Sequence, residues 1–522
     1  MKKILSVILA IACLLSLAAC GTNTDSTANE TQGNQQTWVP TQEQISYKKT
    51  VTVAIDKEPE TLDNHSTTGN YSIPCFRMVY DTLFKVKIET SEVYGWLVKE
   101  YDLSDPLNLK MTLRDDVYFS NGEKMTSEDV RWSIARQKEV GVGASFVASI
   151  DTVEVVDDTH FIFHMSSADA SLLPQLTSPR CSIQWHGSLD SGSWQLIGSG
   201  PYTLEKWVSG DSITFARRDN YWAGAVPSEK VVLKIMPELS SRIIALQAHE
   251  VDLCMDLEAG SVPALELDSS LQILSVPCTG AQVMVFQVGD ENRPLHDKAV
   301  RHAIKCAINT ADLIDAVEDG LAKKTNQLVA DGVLYAFGDF EDAYEYDVDR
   351  AKKILADAGY KDGDILIDYI CKAEDTRLIG EILQDQLKKV GIVVDIHNMD
   401  GSGYNDAYNK GEFDIAVTLK TSSTGDPGVI FKDMLSWNTG KGGNRSYYNN
   451  PEYDELYKQQ MAAMDPAERE RICIELQKIL MDDMPRVPLY SPLIIAAGDK
   501  KLGGFIPNAA DMHDFTTIYC GE

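Results

Sequence analysis

The sequence predicts an α/β protein with mixed sheets, and three observations carry that expectation. Residues 364–370 alternate apolar and polar side chains, 375–390 repeat apolar residues at helical spacing, and 392–396 return to a strand pattern. Strand, helix and strand within about 30 residues is a βαβ unit, which implies parallel pairing. Elsewhere strand patterns recur without regular helices between them, so the sheets are expected to be mixed. Finally, 522 residues with 44% hydrophobic and 24% charged side chains is a globular composition, of about two to four folding units.

The elements follow in order. Residues 50–55, 108–113, 153–156 and 159–165 read as strands. Thr126 followed by Asp129 is the pattern of an N-cap with an acid three residues on, opening a helix over 127–140. Residues 230–236 form a strand and 240–248 a helix. In the second half, 297–307 carries a stripe of Ala299, Val300, Ala303, Ile304 and Ala307. Asp347 caps a helix whose stripe is Ala351, Ile354, Leu355 and Ala358, closed by Gly359. Gly391 stops the helix of the βαβ unit, and 413–419 is a further strand. Asp465-Pro466 places proline at the first helical position of a helix reaching residue 481. Pro485 and Pro488 are then expected to break the chain before an apolar strand at 493–497. No repeat is visible.

The N-terminus has its own logic. Lys2 and Lys3 precede an apolar run over 4–17, short of the about 20 residues that span a bilayer. That is the form of a secretory signal peptide. It ends in Leu17-Ala18-Ala19-Cys20, which resembles the bacterial lipobox, where lipid is attached to the cysteine before cleavage in front of it. Residues 1–19 are therefore expected to be removed and Cys20 to carry lipid. Residues 20–46, rich in Thr, Asn, Gln, Ser and Gly, read as a flexible tether. The chain is expected to be exported and held on the outer face of the cytoplasmic membrane by its lipid alone.

Composition excludes several functions. With 48 Lys+Arg against 78 Asp+Glu the formal charge is −30, the wrong sign for nucleic acid or for electrostatic docking on anionic lipid. Beyond Cys13 and Cys20, eight cysteines remain at wide, irregular spacings with no CxxC pair; most are expected to be small buried hydrophobes. There is no GxxxxGK[ST], GxGxxG, GxSxG or HExxH. His160 and His164 lie in a strand pattern and sit roughly 13 Å apart, too far to share an ion. His302 and Cys306 share a helix face and could ligate a metal, but packing is the expected role, and His397 reads as a strand-end residue. No catalytic residue, cofactor or metal site is assigned, and the protein is expected not to be an enzyme.

The positive signal is a set of ordered blocks. Leu113-Arg-Asp-Asp-Val-Tyr-Phe-Ser-Asn-Gly122 is followed by Thr126-Ser-Glu-Asp-Val130. Gly198-Ser-Gly-Pro-Tyr202 leads to Arg218-Asp-Asn-Tyr-Trp222, and then come Arg293-Pro-Leu-His-Asp-Lys-Ala-Val-Arg301, the 349–359 helix, Asn450-Pro-Glu-Tyr-Asp454 and residues 465–471. In order and spacing these resemble the family 5 extracellular solute-binding proteins, the dipeptide, oligopeptide and nickel-chelate receptors of ABC importers. The resemblance implies a two-lobed clamshell of the type II periplasmic-binding kind, with an extra subdomain in lobe I. Lobe I would be 47–275 with a return at 490–522, and lobe II 276–489. Strands crossing near Val276 and Tyr490 would form the hinge, and the lobes would close on the ligand. The implied partners are a small ligand and the permease's transmembrane subunits, with the receptor a monomer.

The ligand is less determined. Peptide receptors of the family place an Asp in lobe II to hold the ligand's ammonium. Aligned on Asp426-Pro427, that place falls here on Ser423, beside Ser422, and a hydroxyl supplies no charge. The Arg that dipeptide receptors carry for the peptide carboxylate has no counterpart in the short connection at 371–375. The 113–122 block and Ser178-Pro-Arg180 resemble nickel-chelate receptors, in which that Arg can reach the cleft, so Arg180 is a candidate anion anchor. Tyr71, Trp185, Tyr404 and Trp437 are candidates for the cleft wall, each equally consistent with packing. A peptide is the expected ligand; a nickel chelate or other small carboxylated metallophore is the alternative.

Overall fold

The computed structural model describes residues 46–522 apart from 88–90, 190–192, 337–343, 373 and 441–442. The expected signal peptide, Cys20 and nearly all of the tether lie outside the described residues. Among those described, no helix is long and apolar enough to cross a membrane.

One long strand organises the chain. The first half of Arg486–Asp499 pairs antiparallel with Gly280–Phe286, from Val285↔Arg486 to Gln282↔Tyr490. Its second half pairs with Leu271–Pro277, from Pro277↔Leu493 to Leu271↔Asp499. Beyond Gly280–Phe286 the sheet continues through Ile415–Thr421, Ile365–Cys371 and Ile392–Asn398. On the other side it runs through Leu253–Cys254, Thr50–Ile55, Lys230–Ile235, Ser212–Arg217 and Tyr202–Val208.

Each half has its own apolar core. One is built on Val283, Val285, Ile304, Ile367, Leu383 and Leu476; the other on Val51, Val53, Phe76, Phe215, Leu233 and Phe515. A third core lies under a four-stranded antiparallel sheet ordered Val98–Asp102, Asn108–Leu113, His160–Met165, Ile150–Val155. There Leu109, Phe161 and Phe163 meet Val130 and Ile134 of the helix Ser127–Val140.

Local chemistry explains the elements. Asp129 Oδ2 accepts from the backbone N–H of Thr126 at 2.8 Å, closing the start of Ser127–Val140. Asp297, Asp347 and Asp465 each accept a backbone N–H at the start of Lys298–Ala307, Val348–Asp357 and Pro466–Asp483. Gly359 and Gly391 take φ of +92° and +82° where helices end, a conformation glycine adopts without a Cβ penalty. Ile365–Cys371 and Ile392–Asn398 pair in parallel over seven positions, from Ile365↔Ile392 to Cys371↔Asn398, the βαβ unit expected from the pattern. All eight described cysteines are buried.

The proline-rich stretch departs from expectation. Pro485 and Pro488 were expected to hold the strand back to 493, yet it begins at Arg486. Pro488 faces a register shift between Gln282 and Val283, where a missing N–H breaks no regular ladder. Pro492 lies between the last pair with Gly280–Phe286 and the first with Leu271–Pro277, where the strand changes partner.

Candidate functional site

Thr50–Ile55 and Leu253–Cys254 run parallel and side by side, with Ala54 opposite Cys254. Their carboxyl ends therefore deliver Asp56, Lys57 and Asp256 to one place, the edge at which open α/β sheets bind ligands. Asp256 takes φ +55°, and its backbone carbonyl accepts from Arg242 Nη2 at 3.0 Å. Lys57 Nζ donates to Tyr71 Oη at 2.5 Å and lies 4.4 Å from that ring's centre. The C-terminal segment brings the rest: His513 Nε2 lies 3.1 Å from Asp511 Oδ1, and ligand atoms of Asp256, Asp511 and His513 lie within 4.8 Å of one another.

Asp256 is open to solvent but crowded by protein, and that crowding, with the carboxylates of Asp56 and Asp511, raises its pKa to about 6. Like charges held close disfavour full ionisation. The group can therefore hold an ammonium or a metal cation, each of which relieves the repulsion.

This group adjoins the crossing strands. Thr279 N–H donates to the carbonyl of Ala509 at 2.7 Å, and Ser422 N–H to the carbonyl of Thr279 at 3.2 Å. Thr279 Oγ1 donates to the Ser422 carbonyl at 3.1 Å. Ser422 is fully buried, and its Oγ donates to the carbonyl of Asp426 at 2.7 Å; it shapes the turn. Ser423 is half-buried in the same turn. Asp426 itself is held by Arg469 in a two-pronged pair at 2.6 and 2.9 Å.

Arg180 reaches the same region. Its Nη1 lies 3.9 Å from Met512 Sδ, and its Nη2 donates to Thr68 O at 2.5 Å and Asn70 Oδ1 at 2.7 Å. Burial lowers its pKa, and its Nε has no hydrogen-bond partner. Thus Arg180 touches Met512 and Ser422 is linked through Thr279 to Ala509, while Tyr71 meets Lys57.

The other three candidates lie elsewhere by their contacts. Trp185 packs on the third core and on His186, 5.8 Å away. Trp437 is exposed, with Lys458 Nζ 5.3 Å from its ring. Tyr404 is 6% exposed, stacks on Tyr408 at 5.6 Å and carries Lys372 Nζ 5.0 Å from its ring.

Of the histidines considered for metal, His302 Nε2 donates to Asp482 O, 2.8 Å away, and stacks on Tyr344 at 4.0 Å. His397 meets Asp368 at 3.1 Å and Asp395 at 3.7 Å on an open strand face. Asp56, Lys57, Asp256, Asp511 and His513 escaped the sequence reading. A carboxylate directly after the strand pattern at 50–55 was a visible signal for Asp56; Asp256, beyond the two-residue strand Leu253–Cys254, and the 508–513 segment have no periodic pattern to mark them.

The comparisons with known proteins fit this architecture. The family described as "Bacterial extracellular solute-binding proteins, family 5 Middle" matches residues 92–442. A relative from Escherichia coli (strain K12), named "Probable D,D-dipeptide-binding periplasmic protein DdpA", is 25% identical over 468 residues, covering 86% of this chain and 90% of its own. The solved structure of HbpA2 from Haemophilus parasuis superposes with a TM-score of 0.83 at 20% identity, covering 91% of this chain and all of that one. NikA from Brucella suis in complex with Fe(III)-EDTA superposes with a TM-score of 0.81 at 22% identity and covers 91% of this chain and 100% of its own.

Proposed function

Because the chain belongs to the bacterial extracellular solute-binding proteins of family 5, we propose that it is the receptor of an ABC importer, capturing a di- or oligopeptide and delivering it to the permease's transmembrane subunits. It binds and releases without turnover, as an exported monomer tethered through lipid on Cys20. The lobes are 47–275 with 490–522, and 276–489. Separate apolar cores and a strand shared by both halves support that division, with Val276 and Tyr490 flanking the bending point.

The observation that carries the peptide reading is the acidic group of Asp56, Asp256 and Asp511 at the strand ends, beside the turn of Ser422 and Ser423. Ser423 offers no charge, so the ammonium is held from the opposite lobe, by Asp256 and Asp511. Tyr71 contributes to the wall of this group; Tyr404, Trp185 and Trp437, engaged elsewhere, are not assigned to it.

A metal-chelate reading keeps one specific support: two carboxylates and an imidazole within 4.8 Å suit a divalent ion. In that reading Arg180 anchors the chelator's carboxylate.

Thermal unfolding of the chain without its first 20 residues separates the two. A ligand specific for the folded state raises the midpoint with concentration. Di- to hexapeptides are expected to raise it, and nickel with histidine is not. A shift only with the nickel complex replaces the peptide by the chelate; no shift with either panel overturns both ligands.

A further inference from the structure

A second ionic group lies half-buried beside the core of residues 281–490, and its charges do not balance. Lys420 is the penultimate residue of Ile415–Thr421, two positions before Ser422. Its Nζ donates to Asp433 Oδ2 at 2.8 Å. Arg486 turns Nη1 and Nη2 to that same oxygen, at 3.4 Å each. The carboxylate's other oxygen sits against Gly443, where an added Cβ would come within 2.5 Å of it. Arg445 stands next to them, its guanidinium 5.6 Å from the centre of the Tyr408 ring. Two cations thus share one carboxylate oxygen and a third lies near them.

Their hydrogen bonding is incomplete as well. Arg445 Nε and Nη1, Arg486 Nε and the Tyr408 hydroxyl are buried without a hydrogen-bond partner, and Arg486 is 2% exposed. Unpaired buried donors of this kind are uncommon and costly. Burial and the neighbouring guanidiniums of Arg486 and Arg445 lower the pKa of Lys420 against the pull of Asp433. An oxyanion placed among these donors would satisfy several and remove most of the excess charge. Tyr404 stacks on Tyr408 and carries Lys372, which directly follows the strand end at Cys371.

We propose that Lys420, Arg445 and Arg486, with the Tyr408 hydroxyl, form an oxyanion site that takes a carboxylate or phosphate group. Resting on the receptor reading above, the site receives the anionic end of the captured ligand while Asp256 and Asp511 face its cationic end. The same chemistry would serve a free inorganic anion, so the test carries both sources.

The full chain is titrated calorimetrically with inorganic phosphate and, separately, with a dipeptide bearing a free or an amidated C-terminus. The wild type is compared with Lys420→Met/Arg445→Met; Arg445→Lys is included as a charge-retaining control. A charge-assisted hydrogen bond lost from each of two cations predicts roughly tenfold or more weaker binding in the double variant. The site is supported if phosphate or the free-acid dipeptide binds the wild type and weakens by that factor in the double variant, with Arg445→Lys between them. Amidation costing the wild type the same factor identifies the ligand's carboxylate as the occupant; phosphate alone responding identifies a free anion. The proposal is overturned if no probe binds, or if every probe that binds does so equally in wild type and double variant. Peptide binding with neither peptide nor phosphate weakened in the double variant would remove this site and leave the receptor reading standing. Phosphate binding without any peptide binding would do the reverse.

Discussion

Two kinds of buried ionic group occur in this molecule, and they differ in completeness. Asp63 with Arg136, and Asp426 with Arg469, are closed. Each carboxylate is gripped by both guanidinium Nη atoms, at 2.8 and 2.6 Å in the first pair and 2.9 and 2.6 Å in the second. Arg469 spends its Nε on Gln460 Oε1 and shares Nη1 with Ala170 O. The Lys420–Arg486–Asp433 group, with Arg445 beside it, is open, with three cations for one acid and donors unused. The closed groups are structural, since each balances one guanidinium against one carboxylate, although Arg136 Nε is also without a partner. The open group is the one with capacity to bind.

Removing half of a closed pair should therefore have the largest effect. Asp426→Ala leaves the Arg469 charge buried and uncompensated, which costs about 3–5 kcal/mol. Urea unfolding of the variant should show that loss, and Asp426→Leu/Arg469→Met should recover most of it. A single-variant loss below about 1 kcal/mol would erase the distinction between closed and open groups.

The other closed pair makes a pH prediction. His65 Nδ1 lies 3.0 Å from Arg136 Nη1 and accepts from it, which requires a neutral ring. Burial, then the guanidinium, lower its pKa to about 4. The folded value lies below the ordinary 6.5, so its contribution is present above pH 6.5 and is lost as pH falls towards 4. That loss is on the order of 3 kcal/mol. Asp63 is held at about 2, burial opposing and Arg136 prevailing, so its contribution persists above pH 3.8 and disappears only as pH falls through 2. The acid limb should thus begin with His65. His65→Gln keeps an acceptor for Arg136 and cannot titrate; its unfolding midpoint should decline less between pH 6.5 and 4.5 than that of the wild type. Parallel declines would remove His65 as the cause.

These groups also mark what a sequence can disclose. Caps at Asp297, Asp347 and Asp465 and the βαβ unit were legible because their partners lie within a few residues. The Arg486–Asp499 strand was shortened in the reading because its prolines were judged without the register shift opposite Pro488, which only the partner strand supplies. Asp433 and Arg486 are 53 residues apart, and Asp256 meets Asp511 only through the pairing of distant strands, so no spacing rule could join them. The absence of a carboxylate at Ser423 was visible; the acids that meet at Asp256 and Asp511 were not.

The strand-end acids give the next effect in size. Asp256→Asn should weaken binding of a ligand with a free ammonium by roughly tenfold, the worth of one charge-assisted hydrogen bond, and leave an N-acetylated peptide unchanged. Because the Asp256 pKa is raised to about 6, wild-type affinity should fall as pH drops through that value, and the variant should lose most of that dependence. Equal weakening for both peptides would point to a distorted turn and detach the acids from the ammonium.

The smallest effect is the one that most sharpens the contrast. In a closed pair, deletion of a charge strands its partner; at Lys420 it does not, because Arg486 still faces Asp433. The Lys420 pKa is lowered in the fold, so holding its charge there is unfavourable at neutral pH, and a methionine of similar length keeps the packing of the stem. Replacing a buried charge by an apolar side chain under such conditions is neutral or stabilising. Lys420→Met should therefore shift unfolding free energy by less than about 1 kcal/mol, towards greater stability, in phosphate-free buffer. Added phosphate should then stabilise the wild type more than the variant, reversing their order. If Lys420→Met instead costs as much as Asp426→Ala, the lysine is a structural partner of Asp433 and the group is closed after all.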